Sequence, residues 1–256
     1  MLEALYQGAI EDAAVREDSL PISQLEALAL AAPKAINALE ALAPAAQVKV
    51  LAEVKRASPS KGDMAEIANP AELAKIYAEH GASAISVLTE GRRFKGSLAD
   101  FDAVRSAVSV PLLRKDFLAN EYQLLEARAH GADIILLIVA GLEQKRLIQL
   151  KKFAEELGMT AFIETHSEAE LRFASDTGAK LIGVNARDLS TFETDRDLFA
   201  KLVDLFPSDA IRVAESAVRT EADVKHYREA GADVVLVGEA LVTNDPAAML
   251  GKFLQF

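Results

Sequence analysis

The chain has 256 residues, 51% of them hydrophobic and 26% charged, which excludes a largely disordered protein and suits one globular domain with a sizeable core. Its 39 acidic and 28 basic residues give a formal charge of −11, which repels nucleic acid and anionic membrane and leaves any small anionic substrate to a local cluster of cations and N–H groups. With no cysteine there is no disulfide framework, thiol nucleophile or thiolate metal site, and every apolar run falls short of the ~18 residues of a membrane span.

Residues 1–47 form an extension rich in Ala, Leu and Glu, with Leu2, Leu5, Tyr6 and Ile10 at helical spacing. Pro21, Pro33 and Pro44 divide it into two or three helical pieces, and spacing alone leaves open whether it docks elsewhere or covers one end of the domain. Met1 to Arg16 carries acidic residues where a secretion signal is basic and then apolar, so a cytoplasmic protein is expected.

From Val48 the pattern becomes periodic. The pairs Gly81-Ala82, Gly131-Ala132, Gly178-Ala179 and Gly231-Ala232 each precede an aliphatic run, and their glycines lie 50, 47 and 53 residues apart. Those runs are Ala84 to Leu88, Ile134 to Val139, Leu181 to Asn185 and Val234 to Gly238. Between them lie Val48 to Val54, Val110 to Leu113, Ala161 to Ile163 and Ile211 to Ala214. Eight buried-type strands alternating with helical stretches predict an α/β protein, a closed (β/α)8 (TIM) barrel that begins at residue 48 and forms a single domain with the helical extension before it.

Asn69-Pro70-Ala71-Glu72 reads as a helix start, and Glu79-His80-Gly81, Ala129-His130-Gly131 and Glu229-Ala230-Gly231 read as helix ends. His80 and His130 then belong to helix C-termini, where a cation is favoured. His166 and His226 have no evident nucleophile to serve, so a histidine-based mechanism is not expected.

Such a barrel carries its chemistry at the strand C-termini. Side chains alternate along a strand, which turns Glu53 and Lys55, then Lys115, Glu164 and Glu215 inward at one rim, and puts Asn185 and Arg187 on a common face. Arg114 and Asp116 look outward, toward helices. For Glu53 and Lys55 a mutual structural ion pair is the bland alternative; the convergence of charge from four strands favours acid–base work. A lysine near other cations and partly desolvated is expected below its ordinary value, where it donates a proton readily. After the last two strands, Ser216-Ala217 and Gly238-Glu239-Ala240 let backbone approach a ligand, and with Ser58 and Lys61 across the mouth they read as a phosphate site.

Taken together, Glu53-Val54-Lys55-Arg56-Ala57-Ser58-Pro59-Ser60-Lys61-Gly62, Leu88-Thr89-Glu90 with Phe94-Lys95-Gly96-Ser97, Leu113 to Phe117, Asn185 to Leu189, Val213 to Ser216 and Val237 to Leu241 closely resemble the indole-3-glycerol phosphate synthase family of tryptophan biosynthesis. The resemblance runs the length of the barrel, and the extension looks like that family's helical segment over the catalytic face. It implies a carboxy-lyase that closes the ring of 1-(2-carboxyphenylamino)-1-deoxyribulose 5-phosphate with loss of carbon dioxide and water. It also implies no metal or other cofactor and a monomer, with association with other tryptophan-pathway enzymes left open. Lys115 would protonate the ketone oxygen; Glu164, Glu53 and Lys55 remain joint candidates for the dehydration. Asn185 and Glu215 would hold sugar hydroxyls, Phe94, Phe117, Pro59, Leu136 and Leu189 the anthranilate ring, and Arg187 the carboxylate or a neighbouring Glu. Ser58, Ser216, Ala217, Gly238 and Glu239 would hold the phosphate.

One position departs from the family: Ala217 stands where Gly is usual, and a methyl group there disfavours a positive φ. Three rival readings are a Schiff-base aldolase, the related phosphoribosylanthranilate isomerase and a sugar-phosphate sensor. The isomerase is usually built on a Cys and Asp pair, which a cysteine-free chain does not have. A sensor would have no need of the inward charges.

Overall fold

The structure, a computed structural model, describes residues 1–188, 191 and 193–256. The extension folds as α1 (Leu2–Ser19), α2 (Ile22–Ala31) and the short α3 (Ala38–Ala41). Strands β1 (Lys49–Val54), β2 (Ala84–Leu88), β3 (Leu112–Lys115), β4 (Ile134–Ile138), β5 (Thr160–Thr165), β6 (Leu181–Asn185), β7 (Ile211–Glu215) and β8 (Val234–Val237) form a closed barrel. Neighbours in sequence are neighbours in the sheet, and β8 closes on β1 in parallel from Lys49↔Val234 to Ala52↔Val237. Between strands run α4 (Pro70–Glu79), α5 (Leu98–Ala107), α6 (Glu121–Ala129), α7 (Gln144–Glu156), α8 (Glu168–Asp176), α9 (Leu198–Leu202) and α10 (Glu221–Glu229); α11 (Glu239–Val242) and α12 (Pro246–Phe253) end the chain. Among the described residues no helix is long and apolar enough to cross a membrane.

The repeat seen in the sequence is a turn device. Gly81, Gly131, Gly178 and Gly231 adopt φ values of 94°, 83°, 71° and 100°, the left-handed conformation that ends a helix, and the alanine after each is buried. Two strands differ from their apolar runs. β3 begins at Leu112 because Pro111 has no N–H to give the ladder, although its carbonyl still accepts from Ile85 N at 3.0 Å. β5 runs on to Thr165, so Glu164 lies within the strand.

One face of the strands buries Ile85, Leu112, Ile135 and Ile163 against the helices, while Leu51, Leu113, Leu136, Phe162, Val213 and Leu236 fill the barrel interior. The extension covers the barrel: Ala13, Leu25 and Ala29 pack on Tyr122 and Leu125 of α6. A buried charge network joins the same elements. Arg16 donates to both carboxylate oxygens of Glu126 at 2.6 and 2.9 Å. Glu126 also meets Arg114 at 2.9 Å, Arg114 reaches Asp116 at 3.2 Å, and Asp116 accepts from Thr89 Oγ1 at 2.6 Å. Arg114 and Asp116 thus face outward as the alternation predicts.

Arg114 is 1% exposed, so its loss strands two carboxylates in an apolar layer. Arg114→Leu is expected to cost about 3–5 kcal/mol, measured as a fall in the urea midpoint at unchanged slope. A cost below about 1 kcal/mol would show that Arg16 alone neutralises the cluster.

Candidate active site

A cleft of about 400 Å³ opens at the C-terminal ends of the strands. β1 and its following loop bring Glu53, Lys55, Ser58 and Pro59 to it; β3 brings Lys115 and Phe117, β4 Leu136 and β5 Glu164. β6 contributes Asn185 and Arg187, β7 leads into Glu215, Ser216 and Ala217, β8 into Gly238 and Glu239, and Phe94 enters from the loop after β2. Leu189 lies outside the described residues.

Lys115 stands at the centre of the charged groups. Its Nζ is 3.1 Å from Glu215 Oε2, 3.6 Å from Glu53 Oε2 and 3.8 Å from Glu164 Oε2. Lys55 Nζ lies 2.6 Å from Glu53 Oε1, so that pair does form, but it lines the cleft and shares Glu53 with Lys115. Asn185 donates to Glu164 Oε1 at 3.0 Å and accepts from Ser216 Oγ at 2.7 Å. The carboxylates lie where neighbouring strands have no side chain. A Cβ on Gly238 would come within 2.6 Å of Glu53 Oε1, and one on Gly183 would collide with Glu215. Gly238 therefore makes room for a catalytic-face carboxylate, a reason for glycine that its sequence context does not show.

Burial disfavours the Lys115 ammonium, but Glu215, Glu53 and Glu164 outweigh that effect and hold it above the ordinary lysine range. The expected downward shift is thus reversed, because the groups around the lysine are carboxylates from three strands. Burial also opposes ionisation of Glu53 and Glu164, yet Lys55 and Lys115 hold Glu53 down, and Lys115, His166 and Asn185 hold Glu164 down. Glu215 moves the other way: burial and the charge of Glu164 raise it, with Lys115 opposing. Two neighbouring carboxyls are thereby split into an ionised one and a proton-holding one, the usual physical basis for dividing base from acid.

One wall is apolar: the Phe94 and Phe117 rings lie 6.1 Å apart, and Tyr6 meets Phe117 edge-on at 5.5 Å. Met1, at the N-cap of α1, and Leu2 and Leu5 within it line the same cleft, so the extension is its cover; helical spacing in the sequence marked Leu2 and Leu5 but not where they point. Other groups at the cleft are cationic. Lys61 pairs with Glu239, Arg187 donates to Ser60 Oγ at 2.8 Å, and Arg219 also lines the cleft. Burial resists ionisation of Glu239, but Lys61, Arg219 and Arg187 draw its value down. Ser58 Oγ and Glu215 Oε1 are buried without a hydrogen-bond partner among the described residues.

The histidines divide as follows. His80 and His130 cap helix ends, His80 Nδ1 lying 2.9 Å from Ile76 O and His130 Nδ1 2.6 Å from Asp102. His226 lies 3.1 Å from Asp197. His166, set aside in the sequence for want of a nucleophile to serve, sits 3.2 Å behind Glu164.

Fold and site together define a (β/α)8-barrel enzyme whose acid–base equipment is a lysine ringed by carboxylates at the strand C-termini. Solved structures share the barrel: 3-hexulose-6-phosphate synthase from Salmonella typhimurium superposes with a TM-score of 0.61 at 17% identity, over 81% of this chain and 97% of that one. The family model of indole-3-glycerol phosphate synthase matches residues 2–252. The indole-3-glycerol phosphate synthase of Leifsonia xyli is 63% identical over 99% of this chain and 97% of its own. That of Mycobacteroides abscessus is 56% identical over 96% of this chain and 90% of its own. The chain belongs to the indole-3-glycerol phosphate synthase family.

Ser216 and Ala217 are consecutive residues at positive φ, 68° and 56°. The departure at Ala217 therefore falls on a left-handed position, where an alanine is strained by roughly 1 kcal/mol. Ala217→Gly is expected to raise the thermal midpoint by a few degrees and to lower KM, with kcat unchanged. A KM equal to that of the parent would show that the methyl group does not disturb the loop's ligand contacts.

Proposed function

We propose that this cleft performs the family's reaction with Lys115 as the acid of ring closure and Glu164 as the base of dehydration. The activity itself, that of an indole-3-glycerol phosphate synthase and hence of a carboxy-lyase, follows from family membership. The observation that carries the assignment of roles is the position of Lys115 Nζ, within 4 Å of three carboxylates yet 17% exposed to the cleft.

The anthranilate ring of 1-(2-carboxyphenylamino)-1-deoxyribulose 5-phosphate lies between Phe94, Phe117, Pro59 and Leu136, and its phosphate meets the N–H groups of Ser216, Ala217, Gly238 and Glu239 with Lys61 and Arg219 nearby. Ser58 Oγ supplies a further donor, Arg187 turns from Ser60 to the substrate carboxylate, and Asn185 and the unpartnered Glu215 Oε1 hold sugar hydroxyls.

The ring carbon bearing the carboxylate attacks the ketone carbon. As the new C–C bond forms, the carbonyl oxygen takes a proton from Lys115 and becomes a hydroxyl. Held above its ordinary range Lys115 is a weaker acid but is fully charged before the step begins, and the nascent alkoxide is more basic still and takes its proton. The carboxylate then leaves as carbon dioxide, and the electrons of the broken bond restore the aromatic ring. Finally the hydroxyl departs as water with a proton from Lys55, while Glu164 removes a proton from the adjoining ring carbon to complete the indole. Glu53, bonded to Lys55 at 2.6 Å, holds that ammonium in place.

The raised value of Lys115 speaks against a Schiff-base aldolase, whose lysine attacks as the neutral amine. Lys115→Met is expected to lower kcat at least ~100-fold with the barrel's circular dichroism intact, in an assay that follows indole fluorescence. The chain contains no tryptophan, so the product signal is read against a low background. Retention of more than about one hundredth of the activity would remove Lys115 from the acid role.

A further inference from the structure

We propose that His166, as an imidazolium, is a positioning residue for the acid–base centre: it fixes Glu164 as the ionised member of the carboxyl pair and turns its free oxygen into the cleft. The proposal rests on the reading of Glu164 as the base of dehydration.

His166 follows β5 directly. Glu164 points inward, Thr165 turns out and donates to Gly183 O at 2.7 Å, and the imidazole folds back along the strand end. Its Nε2 is 3.2 Å from Glu164 Oε1 and its Nδ1 3.4 Å from Glu170 Oε2. The angle at Nε2 is too oblique for a good hydrogen bond, so this contact is an ion pair in character. Glu170 is itself fixed at the start of α8. Its carboxylate accepts from the His166 backbone N–H at 2.8 Å, and its own N–H donates to the N-cap Ser167 at 3.3 Å. Each ring nitrogen thus confronts a carboxylate oxygen. A neutral imidazole would set a lone pair against one of them; only the imidazolium presents an N–H to both.

The consequence concerns which carboxyl ionises. Glu164, Glu215 and Glu53 all face Lys115, and one ammonium discriminates weakly among three carboxylates at 3.1 to 3.8 Å. Lys55 adds charge beside Glu53. His166 adds it beside Glu164, leaving Glu215 as the group without a second cation. Asn185 Nδ2 and His166 both address Glu164 Oε1, so Oε2 remains turned toward Lys115 and the cleft. The other groups acting on this pair are Glu170 from α8 and, on Glu164 alone, Tyr6 from α1. Tyr6 stays neutral, its hydroxyl raised by burial and by Glu164 itself. In line with the geometry, burial pulls the imidazole down but Glu164 and Glu170 outweigh it and lift His166 to about 10.

Nitrogen NMR of the unmodified protein at pH 7.5 tests the charge, and four histidines make the assignment tractable. Both His166 nitrogens are expected at imidazolium shifts; a neutral tautomer overturns the proposal. Kinetics test the role. His166→Gln is expected to move the acidic limb of the kcat profile up by about one unit, so that kcat falls ~10-fold at pH values below that limb, with KM within about twofold. His166→Lys, which restores a cation, is expected to bring the limb back toward its original place. A folded H166Q with the parent's kcat and limb, or with a change confined to KM and thermal midpoint, overturns the positioning role. Glu164→Gln separates this failure from that of the underlying reading: a fully active E164Q removes the base role itself, whereas an inactive E164Q beside an unaffected H166Q removes only His166.

Discussion

Everything at the mouth of this barrel follows from an excess of negative charge around one lysine. Glu53, Glu164 and Glu215 face Lys115 and Lys55, and behind Glu164 the His166 ring is matched by Glu170, so carboxyls outnumber cationic groups by one. A full set of charges would leave one carboxylate uncompensated in a site floored by Leu51, Leu113 and Phe162, at a cost of several kcal/mol. Burial and the charge of Glu164 raise Glu215, the direction in which a proton on it would remove that excess. The same proton would make the ring chemically asymmetric, in keeping with the proposed roles of Glu164 as base and the lysines as donors. The close approach of the carboxyls in turn dictates glycine at 183 and 238, where a side chain would occupy the space that Glu215 and Glu53 fill.

The outer layer holds that ring in register. Arg114 and Lys115 are adjacent in β3 and point to opposite faces, so the network that ties α1 to α6 through Arg16 and Glu126 ends one residue from the central lysine. The helix that is anchored in this way also lays Met1, Leu2 and Leu5 over the cleft. The cover and the central lysine are therefore linked through ion pairs that run from Arg16 through Glu126 to Arg114. Water at the ring would weaken every electrostatic contact in it.

The parts legible in the sequence are those that local geometry dictates. The period-two rule placed Glu53, Lys55, Lys115, Glu164 and Glu215 at one rim because a strand fixes the direction of alternate side chains whatever surrounds it. The Gly-Ala spacing revealed the barrel because each helix must end in a left-handed residue before the next strand begins. The direction of the Lys115 shift was not legible: its nearest partner is 100 residues away in sequence, and only the closed barrel sets three carboxylates around it. His166 escaped for a related reason. It lies past the end of β5, where alternation no longer predicts direction, and its meaning depends on Glu170 four residues on, which reads merely as a helix-start acid. Ala217 was legible as a departure, and its backbone angle shows the departure to fall where a methyl group matters.

The two ends of the cleft differ in how firmly their charges are committed. Lys61, Glu239, Arg187 and Ser60 are partly exposed and paired with one another across the mouth. Such pairs are weak and screened, so an arriving phosphate or carboxylate can replace Glu239 or Ser60 as partner at little cost. The ring around Lys115 is buried, and each member is held by others in a way that no solvent fluctuation compensates. In the proposed binding mode, adaptable contacts surround the unreactive ends of the substrate, while the reacting carbons meet groups already oriented, with the cost of orienting them met during folding rather than during turnover. On this view the strain at Ser216 and Ala217 belongs to the adaptable end, where a loop held in an unfavourable conformation affects how the substrate is held without disturbing the proton transfers.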